Sequence, residues 1–91
     1  MSNENPTEPL VRVEWRDSCG AHGWHEPSVF DNWQPSRCIS VGWLIRECES
    51  HIILAPHVTV ADEAGSRKVD GVLCIPKQVI TDRRTLWEGD Q

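Results

Sequence analysis

Cys19, His22 and His25 recur at three-residue spacing, and Cys38 follows them before the middle of the chain. Two thiolates and two imidazoles make a tetrahedral zinc set, and a small domain gains most from such a clip. The spacing matches no standard finger, however, and the first three residues straddle Gly20 and Gly23 rather than a rigid knuckle. Cys19, His22, His25 and Cys38 therefore stand only as candidates, and neither a metal nor another cofactor is expected.

Thiol hydrolysis would need one cysteine beside a histidine, with a third group to orient it. Cys19 or Cys38 with His22, His25 or His57 is arithmetically available, but any small protein with four of each residue offers as much. Cys48 and Cys74 read as small buried residues, since thiols pack like modest apolar groups. Asp17, Glu26 and Asp31 hold the makings of an acid–base pair, yet a charged loop is usually just solvated. There is no glycine-rich phosphate cradle. No catalytic residue, and no enzyme, is expected.

Binding chemistry is the better prospect. The chain has five tryptophans, one phenylalanine and no tyrosine. Trp15 and Trp43 fall on the apolar faces of strands and are expected in the core. Trp24 and Trp33 fall in a long loop, where packing or ligand stacking would each explain them. Exposed, and with Arg37, Arg46 or Lys77 nearby, they would suit a nucleotide: a base on an indole face, a phosphate on a cation.

These residues must be positioned by strands. Leu10 to Arg16 alternates, with Val11, Val13 and Trp15 on one face and Arg12, Glu14 and Arg16 on the other. Asp17 to Arg37 is rich in turn formers, with one helical turn expected over Ser28 to Trp33, capped by Ser28. Ile39 to Arg46 places Ile39, Val41, Trp43 and Ile45 on one face, and Gly42 marks a bend. His51 to Val58, limited by Pro56, and Gly71 to Ile75 continue the sheet. Thr59 to Lys68 between them reads as a mobile polar loop. Pro76-Lys77-Gln78 gives a one-turn link to a last strand, Val79 to Leu86. Residues 10–87 are expected to form a single all-β domain, with a disordered tail over 1–9 and a C-terminal tail over 88–91.

Nine basic and fourteen acidic residues give a formal charge of −5. A duplex-binding protein usually shows the opposite balance, so nucleic acid is disfavoured as a partner. No apolar stretch is long enough to span a membrane, and MSNENPTEPL lacks the basic and apolar regions of a secretory signal. A cytoplasmic location, with free thiols, is expected.

The segments VEWRDS, GW, CISVGWL, IILAPH and CIPKQVI resemble a widespread family of short phage and prophage proteins. That family carries V-x-W-x-D-S, then G-W, then C-x-S-V-G, then an I-P-K turn. Here these are Val13, Trp15, Asp17 and Ser18; Gly23 and Trp24; Cys38, Ser40, Val41 and Gly42; and Ile75, Pro76 and Lys77. The Cys19, His22 and His25 cluster lies outside the pattern. The resemblance implies a viral setting, with the host cytoplasm as location. A long first connection, three meandering strands and a one-turn link likewise resemble an Sm-like small barrel of five strands.

Together these readings lead to a non-catalytic phage binding protein with a counter-defence role. It would sequester a nucleotide-type immune signal, such as a cyclic oligonucleotide, in an oligomeric barrel, with Trp24, Trp33, Arg37, Arg46 and Lys77 as the ligand-binding set. The alternative is a protein–protein adaptor or inhibitor of a host enzyme. An Sm-like nucleic-acid-binding ring comes third.

Overall fold

The computed structural model describes residues 5–90, which form strands, turns and two single-turn 3-10 helices. Alternating residues extend the chain in β1 (Leu10–Asp17) and β2 (Ser36–Glu47), and a branched apolar run does so in β3 (His51–Ala55). Pro56, which has no N–H to give a ladder, ends β3. The chain then makes a small hairpin of β4 (His57–Val58) and β5 (Val69–Asp70) before β6 (Leu73–Pro76). A 3-10 turn at Lys77–Val79 leads into β7 (Ile80–Trp87). The main sheet is antiparallel with strand order β6-β3-β2-β1-β7. Among the described residues no helix is long and apolar enough to cross a membrane.

Directly paired residues share a face of a sheet. Val11, Val13 and Trp15 thus lie beside Gly42, Ser40 and Cys38, and Ile52 and Leu54 beside Ile75 and Leu73. This is the core face. Val11, Val13, Ile52, Leu54 and Ile75 are buried there, with Trp15, Leu44, Leu73, Val79 and Ile80 packed around them. Trp15 directs its indole N–H to the Ser40 hydroxyl at 3.0 Å.

The alternation expected in β2 is present, but the core takes its other side. Ile39 and Val41 are 57% and 47% exposed on the outer face. Trp43 is on that outer face too, beside Leu10 and Ala55 rather than in the core cluster. The face is chosen by β1: once Val11 and Val13 point inward, their partners Gly42 and Ser40 must do the same. Gly42 is required for a second reason. A Cβ there would sit 3.0 Å from the backbone carbon and oxygen of Ala55, so only glycine permits this approach.

A register shift between Leu44 and Arg46 adds to the bend at Gly42, and the sheet curls. The extent of the curl shows in one ion pair. Arg83 lies opposite Val13, which lies opposite Ser40. Glu47 is seven residues further along β2, roughly 23 Å away in a flat strand. Yet Arg83 and Glu47 meet at 2.9 Å.

Curling stops short of the closed barrel expected from the sequence. β6 and β7 are consecutive in the chain but form the two outer edges of the sheet and share no ladder. The turn between them directs β7 onto β1, and it is side chains, not backbone, that bridge from β7 to the end of β2. The helical turn expected in the long loop also needs correction. The helical turn of the long loop is Pro27–Phe30, with Glu26 rather than Ser28 at its N-cap. Proline's fixed φ suits that first position. The segment Thr59–Lys68 is a closed hairpin turn: Asp62 accepts the backbone N–H groups of Ala64 and Ser66, each at 2.9 Å.

The tail expected over residues 1–9 begins outside the described residues, but residues 5–9 lie along the sheet. The Pro9 carbonyl accepts the Leu44 N–H at 2.9 Å, and Arg67 pairs with Glu8 at 2.6 Å. Gly89 adopts φ +86° and passes so close to the Thr7 carbonyl that a Cβ would overlap it. Residues 6–9 and 89–90 therefore run together.

Candidate functional site

Residues 18–35 form an arm between β1 and β2, the two longest-paired strands. The arm is built around its aromatic residues. The Pro27–Phe30 turn continues into Trp33, whose N–H bonds to the Phe30 carbonyl at 3.1 Å. That turn sets Phe30 edge-on to Trp33, with ring centroids 4.7 Å apart at 84°. His25 also meets Phe30 near-perpendicularly, at 5.6 Å and 87°. Trp33 remains 43% exposed and, with Ser18, Cys19, Gln34 and Pro35, lines an open cleft of about 280 Å³. Trp24 is fully exposed.

The five residues expected to bind ligand do not come together in one chain. Trp24 and Trp33 are on the arm. Arg37 is at its base, with its guanidinium on Glu14 at 3.1 and 3.2 Å. Arg46 is exposed beyond the bend of β2, paired in register with Ile53 on the outer face. Lys77 is on the turn before β7 and is held by Glu47 at 2.9 Å.

The metal candidates are not gathered either. The Cys19 thiol donates to the Gln34 carbonyl, the Cys38 thiol to the Ser36 carbonyl, and His25 Nε2 lies 2.8 Å from the His22 carbonyl. Among the described residues no group of three or more His, Cys, Asp or Glu is placed to hold a metal.

A second constellation sits at the far end of the sheet, where β2 turns into β3. Glu47 receives both Arg83 and Lys77. Hydrogen bonds from Arg83, then from Lys77, draw its carboxyl down to about 2. The same pairing raises the Arg83 guanidinium. Beside this clasp, Cys48, Ser50 and His51 lie within hydrogen-bond reach of one another. Cys48 and Cys74 are exposed, not buried as expected. The spacing Cys-x-x-His at 48–51 is the sequence signal for this cluster, set in a short polar turn between two strands.

A third feature went unforeseen. Leu10, Trp43 and Trp87 face one another on the outer surface and, with Asn5 and Pro6, line a cleft of about 300 Å³. The Trp43 indole N–H is buried there without a hydrogen-bond partner among the described residues. Glu8 stands beside this segment. Burial alone would raise its carboxyl, but the Arg67 hydrogen bond and charge outweigh that and lower it.

Most of the basic side chains are already engaged by carboxylates. Arg12, Arg37, Arg67, Lys77, Arg83 and Arg84 are in ion pairs. Arg16, Arg46 and Lys68 have no ion-pair partner among the described residues. Comparison with protein-family models, with curated proteins and with solved structures gives no significant match.

Proposed function

We propose that this chain is a non-catalytic phage binding protein. It sequesters a nucleotide-type immune signal, such as a cyclic oligonucleotide, in the host cytoplasm within an oligomer of these open, curled, Sm-like sheets. The observation that carries the reading is the arm, which holds Trp33 edge-on to Phe30 over an open cleft and leaves Trp24 wholly exposed. A rigid indole with a free face is a stacking platform for a base.

Oligomerisation follows from two features. The outer strands β6 and β7 offer unpaired backbone groups that a second copy can extend, and the strand order with its one-turn link is compatible with the Sm-like arrangement the sequence resembles. Among the expected ligand residues Arg37 and Lys77 are engaged by carboxylates and Arg46 lies at the end of β2 away from the arm, so the reading has a neighbouring copy supply the cation for a phosphate. Arg46, exposed and free of an ion pair, is the first choice.

Titration calorimetry against a panel of cyclic di- and oligonucleotides tests this, with the ligand recovered and analysed afterwards. Stoichiometric binding with unmodified ligand is expected. No binding across the panel, or cleaved ligand, would overturn the proposal.

A protein–protein adaptor is the second reading, favoured by Trp24 together with the exposed Ile39 and Val41 of the outer face. It would show as a host enzyme captured stoichiometrically, with no nucleotide effect on melting temperature. A nucleic-acid ring is third, since most of the cations that would meet phosphates are already neutralised.

A further inference from the structure

The turn joining β2 to β3 concentrates nucleophilic and proton-accepting groups: Cys48, Ser50 and His51 are mutually within hydrogen-bond reach. Cys48 Sγ lies 3.3 Å from His51 Nδ1 and 3.5 Å from the Ser50 hydroxyl, and that hydroxyl lies 2.8 Å from His51 Nδ1. The turn is held in shape by the backbone. Cys48 N–H bonds to the His51 carbonyl at 3.0 Å, and Lys77 N–H to the Ser50 carbonyl at 2.9 Å. The second bond brings the Lys77 ammonium to the same end of the sheet, where Glu47 fixes it.

The other cysteines lack this setting. Cys19 and Cys74 are also exposed, so exposure alone does not distinguish Cys48. Cys19 and Cys38 each direct a thiol S–H to a backbone carbonyl, a bond that only the protonated sulfur can make. Cys48 has the opposite surroundings. The Ser50 hydroxyl first, then the backbone N–H groups of Ser50 and His51, lower its thiol against the opposing effect of burial, with a lesser contribution from the charge of Lys77. These groups stabilise a thiolate, the form that reacts.

We propose that Cys48 is an activated thiol and the modification site of this chain, taken by low-molecular-weight disulfides of the glutathione type. His51 accepts the Cys48 proton. The thiolate attacks one sulfur of the disulfide, so a Cys48–sulfur bond forms as the reagent's own sulfur–sulfur bond breaks. The other half leaves as a thiolate and takes up the proton from His51. One disulfide is consumed and one is made, with no other oxidant. The added group then stands beside Lys77 and the Glu47–Arg83 clasp. The site is independent of whether the arm binds a nucleotide.

The test is to expose the intact protein to oxidised glutathione at neutral pH and follow Cys19, Cys38, Cys48 and Cys74 separately by peptide mass spectrometry. The mixed disulfide should form about tenfold faster at Cys48 than at Cys19 or Cys74. Ser50→Ala and His51→Asn should each slow Cys48 several-fold while leaving Cys74 unchanged. A Cys48 rate no greater than that of Cys74 overturns the proposal. So does a Cys48 rate that both substitutions leave untouched. The wild-type comparison needs no variant, so it decides the matter even if a substituted chain fails to fold.

Discussion

Arg83 on β7 forms a two-pronged bond with Glu47 at the end of β2, at 2.9 and 3.0 Å, although the sheet register places them seven residues out of step. This pair, with Lys77 as its third member, links the last strand to the part of β2 that curls toward it. The backbone leaves the sheet open, and the side chains bridge the opening.

Glu47→Gln tests that bridge. A carboxyl whose folded value is lowered stabilises the fold above its unfolded value and loses that contribution as pH falls. Here the window runs from an ordinary 4.5 down to about 2. Solvent screening at this half-exposed site limits the cost of the substitution to about 1 kcal/mol at neutral pH. Urea denaturation at pH 7 should show the variant less stable than wild type, with the difference shrinking as pH falls below 4.5 and disappearing near the bottom of the window.

The bend in β2 is tested by Gly42→Ala. Its new methyl meets Ala55 backbone atoms at 3.0 Å, and backbone cannot swing aside as a side chain can. A loss of about 1–3 kcal/mol is expected by thermal or urea unfolding. Gly20→Ala is the matched control, because nothing lies within 4 Å of its added Cβ. It should stay within about 0.5 kcal/mol of wild type.

Packing and recognition separate on the arm. Trp24→Ala removes a fully exposed ring and should leave stability within about 0.5 kcal/mol. Trp33→Ala removes the edge-to-face partner of Phe30 and should cost about 0.5–1.5 kcal/mol. Both should weaken nucleotide binding at least about tenfold, a loss of one stacked base. Calorimetry beside thermal unfolding distinguishes the two effects.

Much of the architecture is legible in the residues because it is local. The period-two pattern from Leu10 to Arg16 marks β1, Gly42 marks the bend, and Pro76-Lys77-Gln78 marks the one-turn link. What is hidden is non-local. Ile39, Val41 and Trp43 make the more apolar side of β2, and nothing within β2 reveals that Val11 and Val13 force the opposite side inward. The clasp of Glu47 with Arg83 joins residues 36 positions apart, and only the curl makes them neighbours. Cys48 and His51 are close in sequence, but their meeting depends on the tight turn that Lys77 braces from another element. For the ligand set, residue types alone grouped Trp24, Trp33, Arg37, Arg46 and Lys77, whereas the fold spreads them along the whole length of β2 and beyond.

That dispersal makes assembly the critical point, because the proposed function requires the ligand site to be completed between copies. Native mass spectrometry of the protein mixed with cyclic oligonucleotides reads assembly and binding in one spectrum. The proposed function predicts a defined multiple of the chain mass carrying intact nucleotide, with the ligand lost and the oligomer retained in Trp33→Ala. A monomer without ligand across the whole panel, or an oligomer that releases cleaved nucleotide, would contradict it.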